Sequence, residues 1–410
     1  MRTLSTAAWI IAVLGAFLLT GAGTASAEEL PEAAVNVGIG TLRIGGLLQA
    51  GIDYRIGDES IGLTDPDQNA IAKDRYDLYE FVLRRARLNF GGHVVTSRIG
   101  YFLQAEFVEE VRLLDAELKF HYIPDTTIRI GRFLPNFTIF MPRSAADLYL
   151  IEYPLMLQNP HAAYYEALTG SSPAPAWTSP FGPWRQTGLA FAVRTKWIDA
   201  DVGVFNGADN GDDYGDNNAG KDFLIAVAGR PYLRGMKLYA GLWYGMPLNE
   251  AASAAETSGG KFKEKDDTVA IFGGGIEYIA DFGLRVFAEF YQREWQMADE
   301  NADPDNITSM TGYGMAGFNL GTLTGVPVEF LARYDWLDPD TRNSDARGGK
   351  DDELTYITGG INYYIHGNNA MLSLNYIYRS ERFEILKKSG EGTQNGLSND
   401  EVKAQVQIAF

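Results

Sequence analysis

The last ten residues of the chain alternate without a break. Val402, Ala404, Val406, Ile408 and Phe410 fall on one face of an extended segment, and Glu401, Lys403, Gln405 and Gln407 fall on the other. Successive side chains of a strand point to opposite faces, so a period of two predicts a strand with one apolar and one polar side. The pattern recurs upstream. Residues 41–55 set Leu42, Ile44, Leu48, Ile52 and Tyr54 against Arg43, Gln49, Asp53 and Arg55. Residues 283–295 set Leu284, Val286, Ala288 and Phe290 against Arg285, Glu289, Tyr291 and Arg293. Residues 326–337 and 370–382 repeat it, with Phe330, Tyr334 and Trp336 opposite Glu329, Arg333 and Asp335, then Leu374, Tyr376 and Tyr378 opposite Ser373, Asn375 and Arg379. About sixteen such runs fit between 41–55 and 399–410, each long enough for a tilted strand of roughly 9–11 residues to cross a bilayer.

Tight links such as Pro124-Asp125-Thr126, Ala280–Gly283, Thr322–Gly325 and His366–Asn369 alternate with longer charged ones at 56–78, 135–185, 206–221, 246–267, 296–309, 338–351 and 384–398. Short turns at one end and long loops at the other are the habit of bacterial outer-membrane barrels. The expected fold is all-β: a single transmembrane antiparallel β-barrel of about sixteen strands, over residues 28–410. Closure leaves no unpaired backbone edge to face lipid. Residues 1–27 read as a signal peptide, with Arg2, an apolar run over 7–19 and a small-residue cleavage site at Ala25-Ser26-Ala27. This leader and the barrel pattern together predict export to a Gram-negative outer membrane.

Composition narrows the class. Beyond the leader no stretch approaches 18 apolar residues, which excludes a helical membrane protein. The net charge of −18 argues against nucleic-acid binding, and the absence of cysteine removes thiol chemistry. Forty-five glycines beside 22 Tyr and 22 Phe suit strands with aromatic girdles at the membrane interfaces. By phase, Tyr244, Tyr334, Trp336 and Tyr378 face outward, and Trp243 and Trp295 inward.

Residues 135–185 are too long for a cap, and loops beyond about 12–15 residues usually carry function. This one is too apolar for water: it holds Phe137, Ile139, Phe140, Met141, Leu148, Leu150, Ile151, Leu155 and Met156. The expectation is a constriction loop folded into the barrel, with a lid over its mouth as the alternative. Ser144–Glu152 reads as a short helix capped by Ser144.

Five stretches in order carry a resemblance to a known family. They are Arg84-Arg85-Ala86-Arg87-Leu88-Asn89-Phe90-Gly91-Gly92, Arg129-Ile130-Gly131-Arg132-Phe133, Val204-Phe205-Asn206-Gly207, Arg333–Pro339 and Gly360–Tyr364. Together they resemble the phosphate-selective porins O and P, across essentially the whole chain after the leader. The resemblance implies a sixteen-stranded barrel, usually a homotrimer, with basic residues lining a path for small anions. One departure stands out: Leu134 occupies the place where the family often carries a lysine.

By phase Arg43, Arg85, Arg87, Lys119, Arg129, Arg285, Arg293 and Arg333 point inward, and Arg132 and Arg143 flank the constriction loop. Arginine suits oxyanions, because its planar fork donates two hydrogen bonds at once and stays charged. Asp53, Glu106, Asp115, Glu117, Glu277, Glu289, Glu329 and Asp335 share that face, so cross-strand pairing is the competing account of every one of these cations. The expected function is passive diffusion of small hydrophilic solutes with an anion or oxyanion preference, filtered by Arg85, Arg87, Arg129 and Arg132. A non-selective or cation-preferring porin, a sheath for a partner protein, and an outer-membrane enzyme remain as alternatives. Against the enzyme, the four histidines (His93, His121, His161, His366) form no recognisable catalytic motif. No cofactor is expected. Outer-membrane lipid and lipopolysaccharide are the expected surroundings, and the aspartates of the long loops read as solvated charge.

Overall fold

The computed structural model describes residues 35–37, 40–56, 78–94, 97–158, 181, 184–207, 218–248, 265–297, 306–341, 353–381, 385–386, 393–394 and 400–410. The leader, His161 and the aspartates over 209–216, 303–305 and 345–352 lie outside them.

Sixteen strands form the wall: β1 (Gly40–Arg55), β2 (Leu78–Val94), β3 (Ile99–Glu106), β4 (Arg112–Phe120), β5 (Thr126–Phe133), β6 (Gln186–Arg194), β7 (Ile198–Phe205), β8 (Asp222–Gly229), β9 (Met236–Gly245), β10 (Thr268–Ile279), β11 (Leu284–Gln296), β12 (Asn306–Asn319), β13 (Val328–Asp338), β14 (Leu354–His366), β15 (Ala370–Glu381) and β16 (Glu401–Ala409). Each pairs antiparallel with the next, the short strand Val35–Val37 adds to β1, and the ring closes where β16 pairs β1 from Glu401↔Arg55 to Ala409↔Leu47. At the seam Phe410 N donates to Gly46 O at 3.1 Å, and Gly46 N to Phe410 O at 2.9 Å. A side chain at Gly51 has no room there, because a Cβ would stand 2.1 Å from the Ala404 carbonyl oxygen on β16. Gly51→Val is expected to destabilise the closed barrel by about 1–3 kcal/mol through overpacking. Gel mobility before and after heating reads this as a lower melting temperature of the folded band.

The two faces separate as the alternation predicts. Phe290, Phe330, Tyr334, Tyr376, Val406 and Ile408 are exposed on the outer face, while Glu289, Glu329, Asp335, Asn375 and Gln407 are buried on the inner one. Trp243 and Trp295 are buried too, each donating its indole N–H to a carboxylate, Asp222 and Asp267. The links 121–125, 195–197, 230–235, 280–283, 320–327 and 367–369 mark a turn end of the wall, and the opposite strand ends mark a loop end. One turn coils into α1 (Gly321–Thr324), stopped by Gly325 at φ 76°.

A β-bulge breaks the alternation in β2. Gln49 pairs Arg85 but Ala50 pairs Leu83, so Arg84 is the extra residue. Leu83 on one side and Leu88 on the other are both exposed outward, which turns Arg84 and Arg85 together to the inner face.

The segment after β5 lies along this inner face. Ile139 N donates to Glu289 (2.8 Å), Ile151 N to Asn375 (2.8 Å) and Leu155 N to Asp335 (3.0 Å). Its carbonyls accept from the wall as well: Ala145 O from Gln49, Ala146 O from Gln407, and Tyr149 O from Asn362. Leu150 packs onto the bare backbone of β14, where a Cβ at Gly360 would come within 2.4 Å of its Cδ2. The Ser144 cap forms, with the hydroxyl accepting from Ala146 N at 3.2 Å, but the helix expected over 144–152 does not. Only the 3₁₀ turn Ala145–Asp147 is present, and Leu148 is already extended (ψ 136°). The wall side chains take the backbone groups that a helix would have satisfied internally.

Candidate functional site

The inner face of β2–β5 carries the densest charge. Arg87 pairs Glu106 at 2.7 Å, Arg129 pairs Glu117 at 2.7 Å, Lys119 pairs the other oxygen of Glu117 at 2.8 Å, and Arg185, just before β6, pairs Asp115 at 2.9 Å. Arg85 differs. Among the described residues its guanidinium meets the Gln49 amide oxygen at 2.7 Å and the Tyr153 ring, 5.8 Å from its centroid, and it feels the charge of Glu152 without a direct ion pair to it. Arg112 stands opposite Glu106 in the same row. Cations outnumber carboxylates on this strip: Arg84, Arg85, Arg87, Arg112, Lys119, Arg129 and Arg185 against Glu80, Glu106, Asp115 and Glu117. Pairing consumes part of each charge, and the surplus sets the sign of the local field.

The remaining predicted residues go elsewhere. Arg333 is a loop anchor: Nε donates to Asp335 at 2.6 Å, and the two Nη atoms donate to the carbonyls of Glu152 (2.9 Å) and Tyr153 (3.0 Å). Arg143 pairs Glu277 and lies over Phe140 and Tyr149. Burial works against its charge, but Glu277 and Tyr149 outweigh it and hold the guanidinium protonated. Arg285 pairs Glu329 at 3.2 Å and stacks on Tyr149 at 4.7 Å. These two arginines border a cavity of about 540 Å³ at the turn end, with Asn319, Tyr364 and Asn368. Arg293 is buried, 4.6 Å from the Phe181 ring centroid and donating to Ser309. Arg43 is exposed near the turn end. Arg132 does not join Arg129. It pairs with Ala116 and Thr187, in the row of the outward Leu118 and Leu189, although it is itself buried.

Four contributors escape the alternation. Arg84 is inward only because of the bulge. It donates to Asp53 (2.6 Å) and Glu152 (2.9 Å), and Lys403 reaches the same Glu152 oxygen at 2.9 Å. Burial raises the affinity of Glu152 for a proton, but Lys403 and Arg84 overcome it and hold the carboxyl down at about 2. A signal for Arg84 did exist, since strict alternation would face it to lipid, where an arginine at mid-depth costs about 2–4 kcal/mol. Arg185 and Glu152 lie in a loop without periodicity and gave none. Arg112 opens its strand, where the phase of β4 is hidden by a second bulge between Leu113 and Asp115.

No family model matches this chain, and no curated protein matches it in sequence. Its fold does match solved structures. The anion-selective porin from Comamonas acidovorans superposes with a TM-score of 0.58 at 13% identity, covering 90% of this chain and 100% of that one. The outer membrane channel DcaP of Acinetobacter baumannii gives 0.58 at 11% identity, over 93% and 100%. A trimer form of OmpT, an outer membrane protein of Vibrio cholerae, gives 0.52 at 11% identity, over 90% and 99%. The architecture is therefore the closed sixteen-stranded barrel seen in outer-membrane porins.

Proposed function

We propose that this protein is an outer-membrane porin that passes small hydrophilic solutes by passive diffusion and favours anions, phosphate-like oxyanions among them. The observation that carries the reading is the cation surplus on β2–β5, which the segment 134–158 touches at Arg84, Arg85 and Arg129. That segment is the constriction, and the solute path runs beside it along Arg85, Arg87, Arg129 and Lys119. Arg85 is the strongest candidate for solute contact, because an arginine with no direct ion pair, which shares the charge of Glu152 with Arg84 and Lys403, keeps donors for an oxyanion. Arg132 is assigned no part in the filter. The anion-selective Comamonas porin and the trimeric Vibrio protein share the fold, which supports anion preference and a homotrimer by analogy. The three described histidines stand apart near the turn end, His93 on β2, His121 just past β4 and His366 at the end of β14, an arrangement that favours a channel over an enzyme.

The reversal potential across a potassium chloride gradient tests the preference. The expected sign is anion-selective, and Arg85→Gln with Arg87→Gln should lower the anion-to-cation permeability ratio severalfold. A cation-selective wild type would establish the competing account, in which every lumen arginine is neutralised by its pair.

A further inference from the structure

On the outer face, β14 is flanked by aromatic neighbours over small residues. Trp336 on β13 stands opposite Thr355, which stands opposite Ser380 on β15. One row toward the turn end come Tyr334, Ile357 and Tyr378, and in the next Ala332, Gly359 and Tyr376. The result is a notch of about 330 Å³ at the loop end, lined by Tyr334, Trp336, Glu353, Thr355, Tyr378 and Ser380. Two hydroxyls form its floor, aromatic rings its sides and a carboxylate its rim. Below it the floor rises at the exposed Ile357 and drops again at Gly359, where an added Cβ would meet nothing within 4 Å.

We infer that this notch binds the sugar headgroup of an outer-leaflet glycolipid, with an acyl chain running down β14 over Ile357 and Gly359. The inference rests on the outer-membrane placement proposed above, which sets the loop end at the outer leaflet. Sugar hydroxyls donate to the Glu353 carboxylate and exchange hydrogen bonds with Thr355 and Ser380. The apolar faces of a sugar ring pack on Trp336 and Tyr378, whose rings have an apolar body and a polar tip suited to this depth. None of the described lining residues is cationic, and the Glu353 carboxylate among them favours a sugar hydroxyl over a phosphate as the recognised group. An aromatic girdle alone would need neither the hydroxyl floor nor the open track beneath it.

Native mass spectrometry of the detergent-folded protein tests this, with lipopolysaccharide, phosphatidylethanolamine and acyl-free core oligosaccharide as probes. Wild type should prefer lipopolysaccharide over phosphatidylethanolamine. Thr355→Val with Ser380→Ala, which removes the floor hydroxyls and keeps their bulk, should weaken lipopolysaccharide binding about tenfold and leave phospholipid binding unchanged. Tyr244→Leu, an outward aromatic on β9, should change neither. Equal binding by the Thr355/Ser380 variant, an equal loss in Tyr244→Leu, or oligosaccharide binding as tight as the intact lipid would each overturn the inference. The binding is read without conduction. A barrel that conducts nothing yet shows these preferences would contradict the porin reading and uphold the glycolipid site.

Discussion

Arg333→Ala is expected to release the lumen segment and to destabilise the protein by about 3–5 kcal/mol, the cost of breaking one side of a buried ion pair. The guanidinium holds Asp335 from one side and two loop carbonyls, Glu152 and Tyr153, from the other. Removing it leaves the Asp335 carboxylate buried with Leu155 N as its remaining described donor. Urea titration of the protein folded into lipid reads the loss of stability, and single-channel recording should show added current noise as the segment moves. Asp335→Asn in the same chain should recover much of the stability, because the uncompensated charge is then gone. Equal stability of Arg333→Ala and wild type would remove the anchoring role.

The second large effect is acid sensitivity. Glu152 is held at about 2, below the ordinary glutamate value of 4.5, by Lys403 and Arg84. A carboxylate whose folded value is depressed contributes stability that is fully present above the unfolded value and is lost as pH falls through the folded one. The contribution is on the order of 3 kcal/mol and should vanish between about pH 4.5 and 2. Amide exchange over residues 145–157, compared at each pH with Glu152→Gln, measures it. The wild-type segment should be better protected than the variant at pH 6, and the two should converge near pH 2. A constant difference across the range would show that the contacts of Glu152 do not depend on its charge.

The residues show why some of this was legible in the sequence. A membrane barrel has two solvents, lipid outside and a polar interior, so each side chain of a regular strand reports its face. Glu329, Phe330, Arg333, Tyr334 and Asp335 could be placed by counting alone, and so could the seam strand ending at Phe410. Counting fails where the backbone departs from period two. The bulge at Arg84 reverses the phase in mid-strand. Arg132, by contrast, lies three residues from Arg129 and pairs in the other row, as period two itself requires. In the lumen segment local propensity suggested a helix, yet Asn362, Asn375, Asp335 and Arg333, distant in sequence, claim its backbone groups. Ion pairing was the least visible level, because whether Arg87 or Arg85 retains free donors depends on cross-strand neighbours such as Glu106 and Gln49.

Insertion of the purified wild-type protein into a planar bilayer tests the central claim most directly. A channel whose lumen is narrowed but left open beside residues 134–158 predicts discrete, long-lived current steps that need no partner, and larger steps when 138–156 are replaced by a short glycine-serine link. A bilayer that stays silent, or steps unaltered by that replacement, would contradict the account of a barrel constricted by this segment.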